Sequence, residues 1–327
     1  LAKSRDEQDE VARAVSRARK LHLVRVVLAF LGVALALAVP MRLGFAEVYA
    51  SLKPALPVLP LCVLCELGRV VCEAFATRLA LGRRVPWGVM TLAHLGAYAA
   101  ITVFPAPRPA AEALKTTVLG EHVGIPESAS AGATLQAATF FSVGSMCFLA
   151  AFFTWGTPLS WVLLGNTTLL YTLGTLLRVV MRSGRAAAWF KKKWPKRHNE
   201  IDRLHAVART GHVLALGPSA CLLASLFIKV LEQVFITKAM GGTPTLAGSV
   251  ANEGVRLIGA SIGVLVPGQM GVREAVFAFS AESLGTTAAH ATAISLFTHA
   301  IELSLAFIGF AALLVFRIKP KVNGAPR

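Results

Sequence analysis

The feature that most constrains this chain is a series of eight apolar stretches, each of near-bilayer length, at 23–39, 56–81, 87–104, 128–155, 159–181, 213–240, 246–266 and 287–316. A bilayer's hydrocarbon core is about 30 Å thick, and a helix rising about 1.5 Å per residue needs about 20 apolar residues to cross it. The expected fold is therefore an all-α polytopic membrane protein of about eight transmembrane helices. Composition agrees: 55% of residues are hydrophobic and 15% are charged, against about 25% charged in an ordinary soluble domain. That balance excludes a soluble enzyme. The formal net charge of +16 raises nucleic acid as a partner, but a nucleic-acid binder spreads its cations over a polar surface. Here they cluster between apolar runs and read as topology signals, so no nucleic-acid partner is expected.

Two pieces fit neither a loop nor a full span: 105–126 and 267–285. Each opens with proline after an apolar run, holds a helix-compatible stretch too short to cross, and ends at a glycine before the next span. Both read as re-entrant or broken helices, which a bilayer tolerates only where protein or water satisfies the freed backbone groups. The pieces also mark an internal repeat. A shift of 159 places Cys62 on Cys221, Glu73 on Glu232 and Gly82 on Gly241; shifts of 162 and 161 place Pro105 on Pro267, Glu112 on Glu274 and Gly124 on Gly285. Duplicated units with broken helices are a recurring transporter plan. The expected organisation is an N-terminal cytosolic or interfacial segment at 1–22 without a cleavable signal, and a single membrane domain at 23–316. Within that domain lie repeat one at about 56–155, a basic loop at 182–212 and repeat two at about 213–316, followed by a cytosolic tail at 317–327.

The positive-inside rule assigns Arg185, Lys191, Lys192, Lys193, Lys196, Arg197 and Arg203 to the cytoplasm, together with both termini, including Arg317, Lys319, Lys321 and Arg327. Five full spans before the basic loop would put it opposite the N-terminus. If the broken element after Phe104 contributes one further crossing with its neighbours, parity is restored and the repeats are inverted, which is the reading preferred here. The five cysteines (Cys62, Cys65, Cys72, Cys147, Cys221) all sit in apolar stretches and imply no disulfide framework. Cys62-Val-Leu-Cys65 lacks the second ligand pair that a metal site needs.

An ionisable side chain at bilayer depth costs roughly 2.5–3.5 kcal/mol on insertion scales, so each needs a partner, a wet cavity or a task. Glu66, Arg69 and Glu73 are spaced i, i+3, i+7 and share one helix face. Lys229 with Glu232, the cluster Asn252, Glu253 and Arg256, and His299 with Glu302 recur in later spans. Taken singly, these are neutralised pairs gluing helices together; taken jointly, they favour a polar cavity inside the bundle. The sharpest local signal is Pro267-Gly268-Gln269-Met270-Gly271-Val272-Arg273-Glu274-Ala275. Proline ends the preceding helix, Gly268 and Gly271 permit tight turning, and a short helix begins near Val272. A buried helix start offers unpaired N–H groups suited to phosphate. Arg273 adds a forked cationic contact, and Glu274 is a candidate to hold Arg273 or Arg256, or to bind a proton or a cationic headgroup.

That nonapeptide, followed by Leu284-Gly285 and a final apolar span, resembles the second signature of the lysylphosphatidylglycerol synthase transmembrane (flippase-like) family. The stretch Phe104-Pro105…Glu112-Ala113-Leu114-Lys115…Gly124-Ile125 resembles its first signature, an acidic residue followed three positions on by a basic one. It has lysine where the family has arginine, and 105–111 lacks the usual glycines. The resemblance covers roughly 23–316 and does not extend to an aminoacyltransferase domain, so lipid synthesis by this polypeptide is not expected. It implies a bacterial inner-membrane transporter moving a phospholipid or related polar lipid between leaflets. The candidate substrate-binding residues are Arg273, Glu274, Gly268, Gly271, Arg256, Glu253, Asn252, Glu112, Lys115, Arg69, Glu73, Glu232 and Lys229. No catalytic set, metal or cofactor is expected. The expected partners are membrane lipids, anionic or phosphate-bearing, with a lipid-synthesising enzyme as a further candidate. An energy-independent scramblase, a polyprenyl-phosphate or hopanoid lipid transporter, a lipid-modifying enzyme and a scaffold for a synthase stay open.

Overall fold

A computed structural model describes residue 41 and residues 45–82, 85–103, 107–209, 215–264 and 266–315. The expected first span at 23–39, the segment at 1–22, Pro105 and the tail at 317–327 lie outside the described residues. What is described is all-helical, with no strand among the described residues. A short helix α1 (Phe45–Leu52) passes through a 3-10 turn (Lys53–Val58) into α2 (Leu59–Leu81), followed by α3 (Trp87–Val103) and α4 (Pro107–Val123). The long helices α5 (Ile125–Phe153) and α6 (Pro158–Arg182) come next, then α7 (Gly184–Lys193) and α8 (His198–Arg209). The second half holds α9 (Leu216–Ala239), α10 (Leu246–Ile262), a 3-10 turn (Pro267–Gln269), α11 (Val272–Ser280) and α12 (Ala288–Val315).

Proline and glycine set these boundaries. Pro60, Pro126 and Pro158 occupy the first helical positions of α2, α5 and α6, where a missing N–H costs nothing. Glycines at positive φ stand at positions that the sequence shifts pair: Gly82 (φ 60°) and Gly241 (φ 81°) follow α2 and α9, and Gly124 (φ 97°) and Gly285 (φ 67°) precede α5 and α12. Glycine adopts a positive φ without the Cβ penalty that other residues meet there.

Five described helices are long and apolar enough to cross a membrane: Ala46–Leu81, Ile125–Phe153, Pro158–Arg182, Leu216–Ala239 and Ala288–Val315. Within the runs at 87–104 and 246–266, expected as full spans, the described helices have 17 residues each, about 25 Å in length. Each folds back on its successor. Gly96 of α3 lies against Leu114 of α4, and Ala97 and Ala100 pack on Ala111. In the second half, Gly259 and Gly263 of α10 face Arg273 and Gln269. The small residues let each pair of backbones approach closely, as membrane helix packing requires when lipid tails supply no hydrophobic drive.

The halves pack reciprocally. Helix α3 rests on α12 and α10 rests on α5; α2 also touches α12, and α9 touches α5. Between them α2 and α9 lie side by side, with Gly217 at the start of α9 against Leu79 at the end of α2, and Lys229 against Glu66 further along. These two helices are therefore antiparallel. Phe152, Trp155, Trp161 and Phe307 are exposed on the outside. Cys62, Met146, Leu163, Val230, Val255, Phe277 and Phe297 form part of the main core.

The basic segment expected as a loop at 182–212 folds, over its described part, as α7 and α8. Ser183 caps α7 by accepting the Ala186 N–H at 3.4 Å, and α8 packs on α5 and α6. Lys193 sits 5.0 Å over the Trp189 ring and 5.5 Å over that of Trp194, and Trp194 stacks on Phe190. Lys191 pairs with Asp202 of α8, and its hydrogen bond holds that exposed carboxyl below the usual carboxylate range. A short helix with lysines beside tryptophans is suited to the headgroup layer.

The tightest seam is α3 on α12, where a Cβ added at Gly309 would lie 2.2 Å from the Leu95 carbonyl oxygen. Backbone cannot yield as a side-chain tip does, so Gly309→Ala is expected to destabilise by about 1–3 kcal/mol. Gly165→Ala on α6, where nothing lies within 4 Å, is expected to be neutral or slightly stabilising. Thermal unfolding of the two variants in detergent checks this; equal midpoints would contradict the packing described.

Candidate functional site

The intramembrane charges expected from the sequence come together around one cavity of about 450 Å³ between the two halves. Its first wall is α2 with α3. Arg69 Nε donates to Glu66 at 2.7 Å and Nη1 to Glu73 at 2.6 Å, the helical spacing of the three residues making both contacts local. Tyr98 of α3 donates its hydroxyl to Glu73 at 2.8 Å and lies under the Arg69 guanidinium, 4.8 Å from the ring centroid. His94, one turn earlier, places Nδ1 3.5 Å from Glu73 and Nε2 2.8 Å from the Thr77 hydroxyl. On α4, Glu112 and Lys115 pair at 2.5 Å and both face the cavity.

The opposite wall comes from the second half. Arg256 of α10 forms a two-pronged contact with Glu253, at 2.7 and 2.5 Å. Arg273 of α11, only 1% exposed, makes a forked contact with Glu302 of α12 at 2.7 and 3.2 Å. Arg256 also approaches Glu302 at 3.9 Å. Thus one carboxylate stands between two guanidinium groups at the cavity wall. The 3-10 turn brings Gly268, Gln269 and Met270 to the same space, and Gln136 of α5 also lines it.

Of the residues expected to bind substrate, Arg69, Glu73, Glu112, Lys115, Arg256, Gly268 and Arg273 line the cavity. Glu253, Asn252, Gly271, Glu274, Lys229 and Glu232 stand behind it. Two expectations are corrected. Glu274 holds neither Arg273 nor Arg256; at the third position of α11 it reaches back to accept the Gly271 N–H at 2.7 Å. The helix start expected to offer free donors to phosphate thus has one already taken, by the Glu274 carboxylate. The pairing of His299 with Glu302 is loose, 3.9 Å, because the ring's Nε2 lies 3.0 Å from Glu274.

Glu302, His94, Tyr98 and Gln136 also line the cavity, as do His299, Thr139, Ser142 and Ser225, and none of them was among the expected site residues. A weak signal exists for His94 and Tyr98, a histidine and a tyrosine four apart in an otherwise apolar run, hence on one face. Glu302 was legible as an intramembrane charge; its partners, 29 and 46 positions away, were not. Among the described residues, no group of three or more His, Cys, Asp or Glu is arranged to hold a metal.

Removing one member of a buried pair strands the other, at a cost of about 3–5 kcal/mol. Glu302→Gln is therefore expected to lower the unfolding midpoint in detergent sharply, and Arg273→Met in the same background to return part of the loss. No recovery in the double variant would show that Glu302 stabilises by another route.

Residues 23–309 match the family described as the lysylphosphatidylglycerol synthase TM region. No curated protein and no solved structure matches the chain. With its apolar spans and a match over most of its length, this multi-pass membrane chain belongs to the lysylphosphatidylglycerol synthase transmembrane-region family, whose membrane domain is linked to lipid-related functions.

Proposed function

We propose that the chain is a flippase-like transporter of the bacterial inner membrane that passes the headgroup of a phosphate-bearing polar lipid between leaflets. The observation that carries this reading is the pair Arg256 and Arg273, which share Glu302 at the wall of a cavity lined by charged and apolar residues. A lipid phosphate replaces Glu302 between the two guanidinium groups without leaving either cation unpaired, because both partners are anions that accept forked contacts. The opposite wall, Glu73 with Glu112 and Lys115, accepts the cationic or hydroxyl part of a headgroup. Acyl chains remain in lipid throughout.

Topology supports the same reading. Taking α3–α4 and α10–α11 as re-entrant hairpins that return to their own side, three described crossings and the one expected from the sequence at 23–39 separate the N-terminus from α7, and two more described crossings separate α7 from the tail. All three basic regions then face the cytoplasm, as the positive-inside rule requires. The antiparallel course of α2 and α9, the first helices of the two proposed repeats, supports inversion. One hairpin enters from each face, and the turn at Pro267–Gln269 reaches α3. Alternating access then amounts to one repeat rocking against the other around a fixed central site.

Two experiments test this. In vesicles of phosphatidylethanolamine and phosphatidylglycerol carrying a trace of fluorescent phosphatidylglycerol, the protein is expected to accelerate leaflet exchange read by dithionite quenching. Arg273→Gln at equal abundance is expected to slow it about tenfold or more, the scale of a charge-assisted contact. Exchange unchanged by Arg273→Gln and by Arg256→Gln would overturn the site. For topology, Gly88→Cys and Thr243→Cys in a cysteine-free background are expected to react with an impermeant thiol reagent from opposite faces. Reaction from the same face would contradict inversion.

A further inference from the structure

A second charged cluster adjoins the cavity without lining it. Glu66 of α2 and Lys229 and Glu232 of α9 are all 0% exposed. Lys229 donates its ammonium both to Glu66 and, at 2.8 Å, to Glu232. The two carboxylates are not equivalent. Glu66 is held by two cations, since its other oxygen accepts from Arg69 at 2.7 Å. Glu232 shares a single cation, and its Oε2 is buried with no hydrogen-bond partner. Arg69 in turn also serves Glu73.

The connected set therefore places two cations, Arg69 and Lys229, against three carboxylates, Glu66, Glu73 and Glu232. One negative charge is in excess at bilayer depth. The neighbours do not cancel it. Cys62 and Cys65 face the cluster from α2, and Arg256 from α10 and Glu302 from α12 act on Lys229. Arg256 is already committed to Glu253, and Glu302 to Arg273. His94 of α3 reaches Glu73 but not Glu232. A buried charge without compensation is expensive enough that the group neutralises itself instead. The carboxylate with the fewest donors is the one that does so.

We propose that Glu232 is a proton-binding site: it carries one proton on Oε2 while Lys229 bridges to Glu66 across the seam between the two repeats. When that proton leaves to water, Glu232 becomes a full carboxylate and competes for the Lys229 ammonium. The Glu66–Lys229 link between α2 and α9 weakens. Only the proton moves, and Lys229 keeps its charge throughout. The same residue pair is thus both a charge store and a tie between the moving halves, so proton binding biases one repeat against the other. This coupling rests on the transport reading above; the proton site itself does not.

Infrared difference spectroscopy of the purified protein, in vesicles of phosphatidylethanolamine and phosphatidylglycerol titrated across neutral pH, tests the site directly. The wild type is expected to show the carbonyl band of a buried protonated acid. That band is expected to vanish in Glu232→Gln and to persist in Glu112→Gln, whose carboxylate is paired with Lys115. Glu232→Gln mimics the protonated acid and is expected to keep the wild-type unfolding midpoint, so loss of the band is not loss of fold. Glu232→Asp is expected to retain a shifted band. A band that survives Glu232→Gln overturns the proposal, as does a wild type that shows none while sodium raises its unfolding midpoint. With a proton gradient across the same vesicles, exchange of fluorescent phosphatidylglycerol is expected to respond in the wild type and not in Glu232→Gln. A gradient-insensitive wild type that has the band overturns the coupling and leaves the site, whereas no exchange in any condition counts against the transport reading alone.

Discussion

A charge inside a membrane must be answered by another charge, and much of this structure follows from that requirement. Arg69, Lys229, Arg256 and Arg273 all sit in the interior of the bundle, and each is met by a carboxylate within hydrogen-bonding distance. The answers come at two ranges. Within one helix the i, i+3 spacing suffices, as in Arg69 with Glu66 and Arg256 with Glu253. Across helices, Lys229 ties α9 to α2, and Glu302 ties α12 to α11 and α10. The local pairs let each helix insert at tolerable cost, and the long-range pairs fix which helices meet. A bundle held this way has no freedom to collapse onto a purely apolar core, so a polar cavity remains at its centre.

The same requirement explains the short helices. Where a helix breaks inside the bundle, the polar backbone at its end has to be satisfied by protein. Here α10 ends where α11 folds back onto it, with glycines at 259 and 263 admitting Arg273 and Gln269. Glu274 then takes up the Gly271 N–H that the break exposes. The broken element that carries Arg273 to the cavity is thus held by its neighbouring carboxylate. The division of labour between adjacent residues, one facing the cavity and one bracing the turn, follows from their places on the first turn of α11.

Much of this was legible in the sequence because it is local. The bounds of α2, α5, α6, α9 and α12 follow apolar runs closed by proline and glycine, and the helix start at Val272 follows from the glycines before it. The repeat is an expectation drawn from a few matched residues, and the positive φ of the glycines at 82, 241, 124 and 285 gives the glycine matches a physical reason. What was not legible is non-local or depends on competition. Nothing in the sequence says that Lys229 meets Glu66 across 163 positions, or that Glu302 rather than Glu274 holds Arg273. The basic segment read as a loop because its charges outweigh its apolar residues. Its helices gain stability by laying one face on α5 and α6, which a hydropathy count does not register.

The cavity joins these observations: the helices of the two parts of the chain meet around guanidinium groups held by Glu302, and the transport we propose has a lipid phosphate take that carboxylate's place. The most direct test is to ask where a headgroup goes. A phospholipid carrying a photoreactive diazirine on its headgroup, illuminated in vesicles with the wild-type protein, is expected to label peptides containing Met270 and Tyr98, which line the cavity. Label confined to the outer surface around Phe152 and Phe307, with none at the cavity, would contradict the account.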